Sequence, residues 1–124
     1  MAKTNTNFKK GSIELIVLSL LKNKPLYGYE LIQLIFAQSD GYFSIPEGAL
    51  YPILYKLEEK GHISSERKIV GKRLRTYYYL ENSGVAYLDE LMEQFQDYNR
   101  AMEKLLTYKG ENTPDNDESV SENK

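Results

Sequence analysis

The sequence predicts a mainly α fold with a small β-hairpin: a winged helix-turn-helix followed by one long C-terminal helix. Three patterns carry that expectation. Apolar residues recur at helical spacing in three separate stretches before Gly61, switch to period 2 between His62 and Leu80, and return to spacings of three and four after Ser83. The order helix, helix, helix, strand, turn, strand, long helix narrows the architectures sharply.

Residues 1–7 lack a core-forming pattern and read as a flexible N-terminal arm. The first helix is expected over Phe8–Leu21, where Ile13, Ile16, Val17, Leu20 and Leu21 follow helical spacing. Leu15 and Leu18 make it apolar nearly all round, which suits a central helix. Lys22 to Leu26 form a turn, because Pro25 blocks continuation. A second helix is expected from about Tyr27 to Phe36, burying Leu31, Ile32 and Ile35. Tyr27, Gly28 and Tyr29 open it, and free N–H groups at a helix start beside tyrosine hydroxyls suit a phosphate oxygen. Packing is the alternative role for Tyr27 and Tyr29.

The third helix is expected to open with Ser44 and Glu47 as a capping box and to close with Lys60 and Gly61. Leu50, Leu54 and Leu57 form its buried stripe, and Pro52 should bend its axis. Gly48, Ala49, Tyr51, Tyr55 and Lys56 make a front of small and hydroxyl-bearing residues with one charge, suited to a DNA groove. Taken alone, it is equally an ordinary amphipathic surface helix.

His62–Ile69 and Leu74–Leu80 read as strands joined through residues 70–73. Tyr77 and Tyr79 should point to one face, Tyr78 and Leu80 to the other. Arg67, Lys68, Lys72, Arg73 and Arg75 fall in nine residues with no acid among them, so the hairpin tip is either a solvated turn or a phosphate-contacting wing. From Ser83 to about Tyr108, Leu88, Leu91, Phe95, Tyr98, Met102 and Leu105 form a continuous seam, with Val85, Met92 and Leu106 widening it. Such a seam needs a partner helix, and a second copy of the chain is the simplest source. Residues 109–124 are acidic and nearly without aliphatics, a composition expected to stay disordered.

Charge sharpens this division. The net charge of −2 separates into 12 basic against 7 acidic residues over 1–80, and 4 against 11 over 81–124. The basic part suits a polyanion. There is no cysteine and a single histidine, His62, so neither a transition-metal site nor a nucleophile–base pair is expected, and enzyme activity is not. No cofactor is expected either. The apolar run Ile13–Leu21 is too short to span a membrane, and a cytoplasmic location is the expectation.

These elements give an arm (1–7), a winged DNA-binding domain (8–80), a dimerisation helix (81–108) and an acidic tail (109–124). The third helix would enter the major groove and the wing would reach neighbouring backbone. The expected DNA contacts are Tyr27, Gly28, Ser44, Gly48, Ala49, Tyr51, Tyr55, Lys56, Lys72, Arg73 and Arg75. A homodimer would read a pseudo-palindromic double-stranded operator with half-sites roughly 34–36 Å apart or a multiple of that. Its interface is expected at Ile13, Val17, Leu88, Leu91, Met92, Phe95, Tyr98, Met102 and Leu105. Since the third helix offers no Arg, Asn or Gln, much of its specificity should come from spacing, shape and apolar contact.

Four linked motifs carry a family resemblance: Pro25 through Leu31 (PLYGYEL), Gly48 through Leu54 (GALYPIL), Leu57 through Ile63 (LEEKGHI), and Arg75 through Leu80 (RTYYYL) followed by Gly84. In this order and spacing the chain resembles the PadR family of transcriptional regulators, the phenolic-acid-responsive type, over about residues 8–108. The resemblance implies a dimeric bacterial regulator, commonly a repressor, of the short subgroup with a single C-terminal dimerisation helix. Some members of that subgroup bind flat aromatic or drug-like molecules near the dimer interface. Carried onto this chain, the lining would be Met92, Phe95, Tyr98 and Met102, with Ile16 and Val17 beside them. The same residues are equally suited to a plain dimer core. Two positions depart from the family pattern: His62, usually apolar, and Glu81, often threonine, which should move the last helix start onto Asn82 or Ser83. A winged-helix adaptor that binds proteins rather than DNA is the competing reading.

Overall fold

A computed structural model describes residues 8–110. Helices α1 (Ser12–Leu21), α2 (Gly28–Gln38) and α3 (Glu47–Glu59) precede a hairpin of β2 (Ile63–Val70) and β3 (Arg73–Leu80), and α4 (Asn82–Leu106) follows. A two-residue strand β1 (Leu26–Tyr27) pairs with β3, so the sheet is three-stranded, antiparallel, in the order β1-β3-β2. The expected arm (1–7) and nearly all of the expected acidic tail lie outside the described residues.

The described residues of the first unit, 8–93, are built around one core. Val17, Leu18 and Leu21 of α1 meet Leu31 and Ile35 of α2, Leu50, Leu54 and Leu57 of α3, and Ile63, Tyr78 and Leu88. The α3 stripe is fully buried, as its spacing requires, and each leucine contributes roughly 2 kcal/mol. A second unit begins at Gln94, and its described residues, 94–110, carry the remaining turns of α4.

Element ends differ from expectation for local reasons. Helix α1 begins at Ser12, not Phe8; Phe8 instead stacks on Phe43 with ring centres 5.1 Å apart. Residues Leu26 and Tyr27 were expected as turn and helix start, because two residues are too few to show a period. Their partners Tyr78 and Tyr77 make them a strand. The capping box expected at Ser44 and Glu47 does not form. Pro46 is the N-cap of α3, its carbonyl accepting from Ala49 and Leu50, while Ile45 is buried and anchors the entry. A reciprocal carboxylate is found at α2 instead, where the Tyr27 N–H donates to Glu30 Oε1 at 3.1 Å.

The C-terminus of α3 follows the sequence closely. Gly61 has φ 80°, its N–H donates to the Glu58 carbonyl, and the His62 N–H donates to that of Leu57, which is a Schellman closure. The hairpin turn is the two-residue Gly71–Lys72, with φ 64° at Gly71, so both strands run one residue nearer the turn than expected.

Helix α4 starts at Asn82, one residue ahead of Ser83, and ends at Leu106, two short of Tyr108. Glu81 stays outside the helix: its carboxylate accepts from Ser64 Oγ at 2.6 Å, and its carbonyl accepts from Val85. The first turn of α4 rests on residues 61 and 62. The Glu81 N–H and Ser83 Oγ donate to the carbonyls of His62 and Gly61, both at 3.0 Å. His62 stacks on Tyr87 at 4.6 Å, and the Tyr87 hydroxyl donates to Glu14 of α1 at 2.7 Å, which helps push its pKa up to about 12.

Candidate nucleic-acid interface

A cleft of about 490 Å³ lies where the start of α2, the front of α3 and the inner face of the wing converge. Tyr27, Gly28 and Tyr29 come from the first, Tyr51, Tyr55 and Glu58 from the second, and Ser65, Arg67, Leu74, Thr76 and Tyr78 from the third. The outer end of the Tyr51 ring lies against Gly28, where an added Cβ would meet its hydroxyl. The wing is tied to α3 by Ser65 Oγ, which donates to Glu58 Oε2 at 2.6 Å.

The cleft is a hydroxyl-rich surface. Burial, then the nearby Glu47 and Tyr55, raise the Tyr51 hydroxyl above its ordinary value; burial foremost pushes Tyr78 up to about 12. Both hydroxyls therefore keep their protons through the neutral range and can donate. Tyr55 is 62 % exposed and projects at the mouth.

Strand register divides the wing's positive charges. Arg67 stands opposite Thr76 and Ser65 opposite Tyr78, so these share the face of the buried Tyr78 ring and look toward α3. Lys68 stands opposite Arg75 and Glu66 opposite Tyr77, on the outer face. There Lys68 Nζ lies 5.3 Å from the Tyr77 ring centre and 5.4 Å from that of Tyr79, and the Arg75 guanidinium lies 4.3 Å from that of Tyr27. The Tyr79 hydroxyl foremost holds the Lys68 ammonium above its ordinary pKa, and it also donates to Glu66 Oε1 at 3.0 Å. What reads in sequence as one basic cluster is two faces and a tip.

Of the residues expected to meet DNA, Tyr27, Gly28, Tyr51, Tyr55 and Arg75 line this cleft. Gly48 and Lys56 are exposed on α3, and Lys72 and Arg73 at the wing's end. Ser44 is elsewhere: it lines a shallow recess with Tyr29, Ile32 and Phe36 of α2. Ala49 is partly buried against the core, and Gly28 lies beneath Tyr51. Arg67, Ser65, Thr76 and Tyr78 were not among the expected contacts. Alternation plus a two-residue turn would have found them, because together they fix which wing residues share the Tyr78 face.

Of the residues expected at a dimer seam, Val17 and Leu88 are only 0 % and 3 % exposed, consumed by this chain's own core. Ile13 and Leu91 are half-buried against that core. In the second unit, Phe95, Tyr98, Met102 and Leu105 are exposed, Leu105 by 74 %.

Three helices, a short strand and a hairpin wing beside the third helix define a winged helix-turn-helix protein. A family model described as the transcriptional regulator PadR-like family matches residues 17–90. Uncharacterized protein X of Lysinibacillus sphaericus is 33 % identical over 100 residues, covering 78 % of this chain and 90 % of that protein. The transcriptional regulator YqjI of Escherichia coli (strain K12) is 30 % identical over 89 residues, which cover 72 % of this chain and 42 % of YqjI. A transcriptional regulator structure from Clostridium thermocellum aligns with TM-score 0.72 at 30 % identity, covering 77 % of this chain and 93 % of that one. A PadR family regulator from Eggerthella lenta aligns with TM-score 0.68 at 31 % identity, covering 81 % and 86 %. The chain belongs to the PadR-like family of transcriptional regulators.

Proposed function

We propose that this protein is a homodimeric, sequence-specific DNA-binding repressor whose hold on its operator is weakened by a small-molecule effector, aromatic or drug-like. The observation that carries the DNA-binding reading is the convergence of the α2 start, the exposed front of α3 and a basic wing on one hydroxyl-lined cleft. In that arrangement α3 enters the major groove, tyrosine hydroxyls meet phosphate oxygens, and Lys72 and Arg73 supply the sequence-independent part of the affinity.

Dimerisation is supported by the exposed seam of Phe95, Tyr98, Met102 and Leu105 on an otherwise polar helix. With Val17 and Leu88 taken by the core, the proposed interface is Ile13, Leu91, Met92 and those four. An effector wedged among Met92, Phe95, Tyr98 and Met102 would favour dimers whose α3 helices are misplaced for the operator and so shift the population away from DNA.

The test is fluorescence anisotropy with a labelled duplex from the protein's own upstream region, titrated over a range of salt. Wild-type affinity should fall steeply with salt, and Lys72→Ala combined with Arg73→Ala should reduce the slope of log affinity against log salt by about 2. Absence of salt-sensitive binding even at low salt would sink the DNA-binding reading in favour of a protein-interaction adaptor.

A further inference from the structure

We infer that Arg67, on the wing's inner face, is a base-reading residue of this protein and the main determinant of its sequence specificity. The inference rests on the DNA-binding reading above and adds a role that α3 itself cannot fill. Helix α3 contains no arginine, asparagine or glutamine, so its one donor for a guanine edge is the flexible ammonium of Lys56, and it holds no planar fork for a purine edge. The geometry points to the wing for that group.

Three observations single out Arg67 among the five wing cations. First, register places it opposite Thr76 on the face that looks toward α3, and it lines the same cleft as Tyr51 and Tyr55. Arg75 also borders this cleft, but its guanidinium lies over the Tyr27 ring, and Lys68 stands opposite Arg75 in the register. Second, Lys68 and Arg75 are already held against tyrosine rings, whereas Arg67 is exposed and engaged by no hydrogen bond, ion pair or ring among the described residues. Third, its root is fixed. Two residues earlier on the same face Ser65 is hydrogen-bonded to Glu58 of α3, so the guanidinium projects from a base whose position relative to the recognition helix is set.

Arg67 also lies about 10 Å back from the end of β2, at the helix side of the wing, while Lys72 sits in the turn itself. A duplex seated on α3 thus presents a major-groove edge to Arg67 and backbone to Lys72. The planar guanidinium fork matches the O6 and N7 acceptors of guanine with a rigidity that the flexible ammonium of lysine lacks. The chemical class read is therefore a guanine, one per half-site, at the flank of the groove that α3 occupies.

The experiment is selection from a pool of random duplexes with the wild type and with Arg67→Lys, Arg67→Ala and Lys72→Ala, each first confirmed to unfold at the wild-type temperature. The wild-type base preferences should show a guanine at symmetric positions, favoured roughly 5- to 150-fold. Arg67→Ala should lose that guanine preference, and Arg67→Lys, which keeps the charge but not the planar fork, should keep the affinity for unselected duplexes and weaken the preference. Lys72→Ala should do the reverse. If Arg67→Ala leaves the guanine preference intact, or if the wild type selects no guanine, Arg67 is not the reader. If the wild type binds no duplex in the pool, the DNA-binding reading falls and takes this role with it.

Discussion

Replacing Gly84 by alanine sets two physical effects against each other. Gly84 is buried within α4 near its start, and on helix propensity alone alanine should stabilise by about 1 kcal/mol. A Cβ at this position, however, would lie 2.1 Å from the His62 carbonyl oxygen, 3.0 Å from its carbon and 2.7 Å from Leu80 Cδ1. Two of those atoms are backbone, so α4 itself must lift away from the base of the wing. That shift strains or breaks the hydrogen bonds from the Glu81 N–H to His62 and from Ser83 Oγ to Gly61. Overpacking costs about 1–3 kcal/mol and each hydrogen bond about 1 kcal/mol. Set against the propensity gain, the net loss is about 2–4 kcal/mol. Urea unfolding followed by far-UV circular dichroism measures it directly. A Gly84→Ala variant as stable as the wild type, or more so, would refute the reasoning, since only the sign expected from propensity would remain.

Other expectations follow from the cleft and the seam. Tyr78 keeps its proton more tightly folded than unfolded, with a pKa of about 12 against roughly 10 in the unfolded chain. Its contribution is therefore complete below about pH 10 and is lost as pH rises through 12, in all roughly 3 kcal/mol. Urea titrations at mildly and strongly alkaline pH should show Tyr78→Phe losing less stability than the wild type over that window; equal losses would contradict the assignment. Gly28→Ala should cost about 1–3 kcal/mol through its clash with Tyr51, and most of that cost should vanish in a Tyr51→Ala background. A fully additive double variant would show that the two residues do not meet. Phe95→Asp with Tyr98→Asp should weaken self-association by roughly 100-fold or more in sedimentation equilibrium, equivalent to about 3 kcal/mol, without changing helix content. A dimer of unaltered strength would place the interface elsewhere.

The architecture was legible because its signals are strong and local. Leu50, Leu54 and Leu57 announce a buried helical stripe, Gly61 announces its end, and the tyrosines after Arg75 announce a strand. What escaped depended on neighbours distant in sequence. Strand β1 exists only because Tyr77 and Tyr78 pair with Tyr27 and Leu26. The Ser44–Glu47 pattern has the right residues for a cap, yet burial of Ile45 and the extended backbone of Pro46 decide where α3 begins. Val17 and Leu88 carry the same apolar label as Phe95 and Leu105, and only packing distinguishes core from exposed seam. In the wing, composition shows five cations but not their faces; register assigns them, and register becomes readable once the turn is known to be Gly71–Lys72.

Tyr27 joins three things that a winged protein often leaves loosely coupled. Its backbone N–H is held by Glu30 at the α2 start, its chain pairs with Tyr77 in the sheet, and its ring packs edge-on against Tyr77 and under Arg75. The wing thus cannot swing on its own root without fraying the first turn of α2. With Ser65 clamped to Glu58 on the other face, the span from α3 to the wing end behaves as a ruler rather than a flap. If α3 and the wing dock on a duplex as proposed, a ruler measures a fixed length of it, and one base pair inserted between the stretch under α3 and the stretch under the wing is expected to be met by deforming the DNA rather than the protein.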